Sequence, residues 1–375
     1  MNEAPAGRSS GRAAQRILIA GGGTGGHLMP ALAIAAALED YAPHIEAVLV
    51  GATRGVEARL LPSRDHRFYL LPSEPIYRQT WWKNVRWPFV AGRLLREVGR
   101  VFENERPIAV LGTGGYASGP VVWWAARHRI PTAIQEQNAY PGLATKWLSR
   151  RVRHVYLGLP EARALLRFGP ATEVFDTGNP ITPPAPERRS AALARFRLDG
   201  HRPVVVITGG SQGSLAVNRV VAQWLDQGGL ANASLIWITG RGSYQSFAHY
   251  DAPPSVQVVD FLDPMADAYA VADLVVSRAG MITVAELCAW GLPSILIPLP
   301  TAAADHQSHN ARVLAGAGAA LLLQQSELTP ERLGQTVSQL LSSQPERSQM
   351  AQRAKARGRP HAAQDIVSKL LTLAS

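Results

Sequence analysis

The stretch Arg16–Asp40, RILIAGGGTGGHLMPALAIAAALED, decides the fold. A short apolar run, RILIA, meets a turn of five glycines with Thr24 and His27, and an apolar-periodic run follows. That order reads as strand, tight turn, helix. The same grammar returns at residues 202–225, RPVVVITGGSQGSLAVNRVVAQWL. Further runs predict strands: EAVLVG, IAVLG, PTAIQ, HVYLG, SLIWITG, VQVVDF, LVVSR, PSILIPL and AALLLQ. Repeated strand–turn–helix units imply α/β domains with parallel sheets covered by helices.

A chain of 375 residues exceeds one average domain. Between the two units lies GNPITPPAPERRS, residues 178–190, whose four prolines exclude a helix or central strand and mark a connection. The expected organisation is a flexible tail at 1–16, an N-terminal domain at 17–182 joined by 360–375, and a C-terminal domain at 183–359. Two Rossmann-like domains would face each other across a cleft, because open α/β sheets bind ligands beyond their C-terminal strand ends.

Composition narrows the class. Hydrophobic residues make up 46% and charged residues 18%, enough for two cores. The single cysteine, Cys288, excludes an internal disulfide and a cysteine zinc cage, and suits a reducing compartment. The first sixteen residues lack the apolar core of a signal peptide. The uncharged runs Pro107–Ala126 and Leu287–Ala304 are broken by Gly or Pro, so neither reads as a membrane span. Net charge is +10, and the excess lies early: residues 1–182 hold 22 Lys and Arg against 14 Asp and Glu, the remainder 16 against 14.

Three glycine turns, at 21–26, 112–120 and 208–214, suit phosphate, since glycine lets backbone N–H groups approach an anion at a helix N-terminus. A dinucleotide also needs an acid at the C-terminal end of the second strand. Glu46 stands at the wrong end of EAVLVG, which weakens an NAD reading. Glu286, a little inside a helix starting near Gly280–Met281, could accept both hydroxyls of a ribose, with Arg278 and the helix N-terminus toward a diphosphate. It could equally be an acid favouring the helix dipole.

Seven motifs in order carry a family likeness: GGTGGH, GTGGYASGP, QEQNAYPGLATKWL, GNP, TGGSQGS, SRAGMITVAEL and ADHQSHNA. Together they resemble the MurG family, glycosyltransferase family 28. The resemblance implies a GT-B fold whose final helix crosses back to the N-terminal domain. It also implies an inverting enzyme that moves GlcNAc from UDP-GlcNAc to the C4 hydroxyl of lipid-linked N-acetylmuramoyl-pentapeptide. It places the enzyme peripherally at the cytoplasmic face of the bacterial inner membrane.

By the same resemblance, Ser211 meets the diphosphate, Glu286 the ribose, and Met281, Ile282, Thr283, Val284 and Ala285 line the nucleotide. Leu262 offers backbone groups to uracil, Gln307 reaches the GlcNAc hydroxyls, and Thr24, Gly25, Gly26 and Asn138 close on the donor sugar. His27 is the candidate base, or else a helix-start histidine that orders its loop; Tyr116 is a weaker acceptor contact. No Asp-x-Asp pair suggests a metal, so no cofactor is expected; UDP-GlcNAc is a substrate, and a stimulatory divalent ion stays open.

Two positions depart from the family pattern: Gln135 replaces a usual His, and Thr182 a frequent Arg. The segment 76–102 joins Trp81, Trp82, Trp87 and Phe89 to Lys83, Arg86 and Arg93, with Pro88 suiting the first turn of a helix to about Phe102. Such a pattern fits an anionic phospholipid surface; no nucleic-acid motif accompanies it. Competing classes are a UDP-GlcNAc epimerase, an NAD oxidoreductase and a non-catalytic membrane scaffold.

Overall fold

The computed structural model describes residues 15–74, 87–230 and 232–375. The first sheet contains β1 (Gln15–Gly21), β2 (Ile45–Ala52), β3 (Arg67–Leu71), β4 (Ala109–Gly114), β5 (Thr132–Glu136), β6 (His154–Leu157) and β7 (Glu173–Phe175). Their order is β3-β2-β1-β4-β5-β6-β7. The second sheet contains β8 (Val204–Thr208), β9 (Ser234–Ile238), β10 (Val256–Val259), β11 (Leu274–Ser277), β12 (Ser294–Leu296) and β13 (Leu321–Leu322). Their order is β10-β9-β8-β11-β12-β13. Pairing is parallel, with Ile17 opposite Ala47 and Ala109, and Val206 opposite Ile236 and Val275.

Strand order reverses beside β1 in the first sheet and beside β8 in the second. Ligand crevices form at such switch points, because neighbouring connections leave on opposite faces there. The turns after β1 and β4, and those after β8 and β11, therefore occupy the places where each sheet can hold a ligand. Helices cover both faces, so the central strands are apolar throughout rather than alternating. Ile17, Leu18 and Ile19 are all fully buried, each side chain worth about 1.5–3 kcal/mol on leaving water.

The nine additional strands read from the sequence are present, but β3 and β7 were not anticipated. Both are edge strands with a charged first residue, and β7 is only three residues long. Short polar edges carry little periodic signal.

By compactness the chain divides into residues 1–133 with 367–375, and residues 134–366. The proline segment 178–190 is thus interior to the second unit. The reason is packing: Ala139, Leu159, Ala192 and Phe196 share a core with Val204, Val206 and Leu296. The last helix, Ala362–Ala374, buries Ile366, Val367 and Leu370, and from Val367 onward it belongs to the first unit. The expected tail at 1–16 is described only at its end. Its residues 1–14 lie outside the described ones, whereas Gln15 and Arg16 open β1, where Arg16 pairs with Glu46 at 3.0 Å and Glu105 at 3.3 Å.

Candidate active site

In the first unit, β1 ends at Gly21 and the helix Gly25–Tyr41 begins four residues later. Gly23 takes φ +91°, which a side chain would strain, and a Cβ there would also fall 2.6 Å from the Tyr116 ring. Thr24 is the N-cap residue, yet its hydroxyl makes no cap bond. Instead Thr24 Oγ1 lies 3.0 Å from His27 Nδ1, while Thr113 Oγ1 donates to the His27 carbonyl at 2.9 Å. Thr24 and Gly26 are exposed; Gly25, His27 and Tyr116 are half-buried.

Sequence reading missed Glu57. Its carboxylate is fully buried and accepts the Gly23 N–H at 2.8 and 2.9 Å and the Ala52 N–H at 2.9 Å. This geometry counts against the dinucleotide reading. A pyrophosphate at Gly23 would share its donor with a carboxylate, and like charges about 4 Å apart repel by about 4 kcal/mol at an effective dielectric of ~20.

In the second unit, β8 leads through Gly209–Gly213 to Ser214, the N-cap of the helix Leu215–Asp226. Among the described residues the N–H groups of Ser211, Gln212 and Leu215 donate to no protein acceptor. Ser211 and Gln212 are exposed. Next to this turn Arg278, only 6% exposed, donates through Nη2 to Ser214 Oγ (2.7 Å) and Gln325 Oε1 (2.6 Å). Its Nη1 donates to the Ile297 and Pro298 carbonyls at 3.1 Å each. No carboxylate pairs with it among the described residues, and burial lowers its pKa because the cation is desolvated. A buried guanidinium held only by neutral acceptors, bonded to the N-cap of a helix whose approach has open N–H donors, has the chemistry to suit an anion.

After β11, the helix Met281–Trp290 starts behind Gly280. Met281 and Val284 turn their side chains into the core, leaving Ile282, Thr283 and Ala285 half-buried. Glu286 accepts from the Tyr269 hydroxyl at 3.1 Å, and burial pushes its carboxyl up to about 7. Leu262 packs its side chain into the same core, while its backbone N–H and C=O make no hydrogen bond among the described residues. Gln307 accepts the Leu299 N–H at 3.0 Å, and its Nε2 has no partner among those residues. Asn138 Oδ1 accepts from Asn310 Nδ2 at 3.2 Å, and Asn310 also binds the Ala139 N–H and the Ala279 carbonyl. Fully buried Asn310, read only as part of a motif, thus ties the Asn138 loop to the residue after Arg278.

The first unit therefore gathers Thr24, Gly25, Gly26, His27 and Tyr116. The second bonds Arg278 to Ser214, three residues after exposed Ser211, and separately presents Asn138, Leu262, Glu286 and Gln307. Gln135 is buried in an amide network, donating to Asn179 Oδ1 at 2.8 Å and accepting from Gln137. Arg188 and Arg189, near Thr182, are committed to Asp267 and to the Ala270 carbonyl. Trp81, Trp82, Lys83 and Arg86 lie outside the described residues. The helix Trp87–Glu105 follows, and of Trp87 and Phe89 only the backbone is described. Arg93, Arg96 and Arg100 are exposed on this helix, opposite buried Leu94, Val98, Val101 and Phe102. No helix among the described residues is long and apolar enough to cross a membrane.

Residues 17–157 match the glycosyltransferase family 28 N-terminal domain, and residues 204–366 match its C-terminal domain. A protein of Myxococcus xanthus is 40% identical over 96% of this chain and 93% of its own length. One of Carboxydothermus hydrogenoformans is 39% identical over 90% and 92%. Both are named UDP-N-acetylglucosamine--N-acetylmuramyl-(pentapeptide) pyrophosphoryl-undecaprenol N-acetylglucosamine transferase. The crystal structure of Acinetobacter baumannii MurG superposes with a TM-score of 0.77 at 30% identity, covering 96% of this chain and all of that one.

Proposed function

The chain belongs to glycosyltransferase family 28, and from that membership we propose its reaction. It is a GT-B hexosyltransferase of peptidoglycan synthesis that transfers GlcNAc from UDP-GlcNAc to the C4 hydroxyl of undecaprenyl-diphosphate-linked N-acetylmuramoyl-pentapeptide. The C4 oxygen forms a bond to C1 of GlcNAc as the bond from C1 to the β-phosphate oxygen breaks. The hydroxyl proton passes to a base, and the configuration at C1 inverts.

The observation that carries the reading is buried Arg278 bonded to Ser214, the N-cap flanked by the open N–H groups of Ser211, Gln212 and Leu215. Departing UDP gains negative charge, so fixed dipoles and an uncompensated cation favour the transition state over the ground state. No cofactor is invoked. Glu286 takes the ribose hydroxyls, the Leu262 backbone the uracil edge, and Gln307 Nε2 the GlcNAc hydroxyls; Asn138 and the Thr24–Gly26 turn serve the donor sugar. His27 takes the proton, with Thr24 setting which ring nitrogen is basic.

The acceptor's lipid requires a membrane surface. The exposed arginines of the helix Trp87–Glu105 suit anionic phospholipid at the cytoplasmic face of the inner membrane, and the sequence sets Trp81, Trp82, Trp87 and Phe89 beside them in the chain. Incubating the protein with UDP-GlcNAc, with and without lipid-linked muramoyl-pentapeptide, and measuring UDP tests the reaction. UDP should appear only with acceptor. Release without acceptor, or none in either case, would overturn the transferase reading.

A further inference from the structure

We propose that Glu57 is a positioning residue of this transferase: a built-in carboxylate that fills the anion seat of the first glycine turn and thereby sets Thr24 and His27. A glycine turn running into a helix N-terminus ordinarily draws a ligand's phosphate. Here the chain supplies the anion. Glu57 follows β2 by five residues and folds back so that one carboxylate joins the end of β2, through Ala52 N–H, to the turn after β1, through Gly23 N–H.

The seat is made for it. A Cβ on Gly22, Gly51 or Gly55 would overlap the Glu57 side chain, so three glycines from two segments are kept bare around one carboxylate. Burying an ionised carboxylate is costly unless its oxygens are hydrogen-bonded, and these accept N–H groups from both segments. The consequence runs along the chain. With Gly23 held at φ +91°, Thr24 enters the helix in extended conformation (φ −140°, ψ 159°). An N-cap threonine usually spends its hydroxyl on an N–H of the first turn. Thr24 does not, and its hydroxyl meets His27 Nδ1 instead. Glu57 thus acts on the imidazole through Gly23 and Thr24. A substrate phosphate is left the later N–H groups of the turn, not that of Gly23.

The test uses full-length Glu57→Ala and Glu57→Gln. Ala empties the seat, so turnover should fall on the order of tenfold to a hundredfold, as when a charged hydrogen bond is lost, while UDP affinity stays within about twofold. Added formate should refill the seat, raising both turnover and melting temperature of Glu57→Ala but not of the parent. Gln keeps the shape and one acceptor oxygen, so its loss should be smaller, about threefold to tenfold. Parental turnover in Glu57→Gln, or a folded Glu57→Ala indifferent to formate, overturns the proposal; so does a turnover loss matched by equal loss of UDP affinity. If Glu57→Ala does not fold, Glu57→Gln decides. The turnover readout rests on the transferase reading, but formate-dependent melting needs no substrate. A parent that releases no UDP would therefore sink that reading while the melting result still judges Glu57.

Discussion

In its proposed ribose role, Glu286 sets function against stability. Burial raises its carboxyl from 4.5 to about 7, with only the Tyr269 hydroxyl favouring the ionised form. A carboxyl raised in the fold contributes its full stability below pH 4.5 and loses it as the pH climbs through about 7. Glu286→Gln should therefore melt higher than the parent at pH 8 and nearly equally at pH 4. A ribose needs the ionised carboxylate, so the same variant should bind UDP-GlcNAc on the order of tenfold more weakly above pH 7. Parental affinity should fall as the pH drops below about 7. Calorimetric titration at both pH values checks this; a parental affinity flat from pH 5 to 8 counts against the ribose role. At His27, loss of the imidazole should lower turnover by roughly a hundredfold with UDP binding nearly intact if it is the base. If it only orders the turn, turnover and melting temperature should fall together. Thr24→Val removes the Nδ1 partner and should move the pH–rate profile, a shift that packing loss alone would not produce.

At the scale of elements, two helices join a proposed ligand role to a structural one. Ser214 accepts the Val217 N–H at 3.4 Å and the Arg278 Nη2 at 2.7 Å. Ser214→Ala should destabilise the second unit by about 1 kcal/mol through the lost cap. It should also weaken UDP binding, because the buried guanidinium loses an acceptor that orients it. A variant that melts lower yet binds UDP as before would separate cap from site. In the helix Trp87–Glu105, Arg93 and Arg96 are exposed while Leu94 and Val98 are buried. Replacing both arginines by glutamine should leave folding intact and remove about 1 kcal/mol per charge of attraction to an anionic surface. Co-sedimentation with phosphatidylglycerol vesicles should drop and become less salt-sensitive. Equal binding by variant and parent would show that this face does not dock.

At the scale of the whole molecule, each sheet carries its own switch point, and UDP should be felt in one of them. Hydrogen exchange with saturating UDP should slow at residues 208–215 and 280–286 and remain unchanged at residues 21–27. Protection of the first turn by UDP alone would mean that the nucleotide reaches the first unit. The sequence by itself determined the α/β class, nine strands beyond the two that open the glycine-turn units, the three glycine turns and the order of seven family motifs. Those features are local: a buried parallel strand is a short apolar run, and a βα turn needs glycine wherever it lies. Tertiary structure alone decided what the turns hold. The N–H of Gly23 is taken by Glu57, 34 residues away, whereas those of Ser211 and Gln212 make no hydrogen bond among the described residues. It also carried the second unit back to residue 134, through Ala139 in the core and Asn310 bound to its loop 171 residues earlier. Edge strands β3 and β7 escaped for the same reason. A backbone donor's partner and an edge strand's pairing depend on which distant segments close around them, and no local periodicity records that closure.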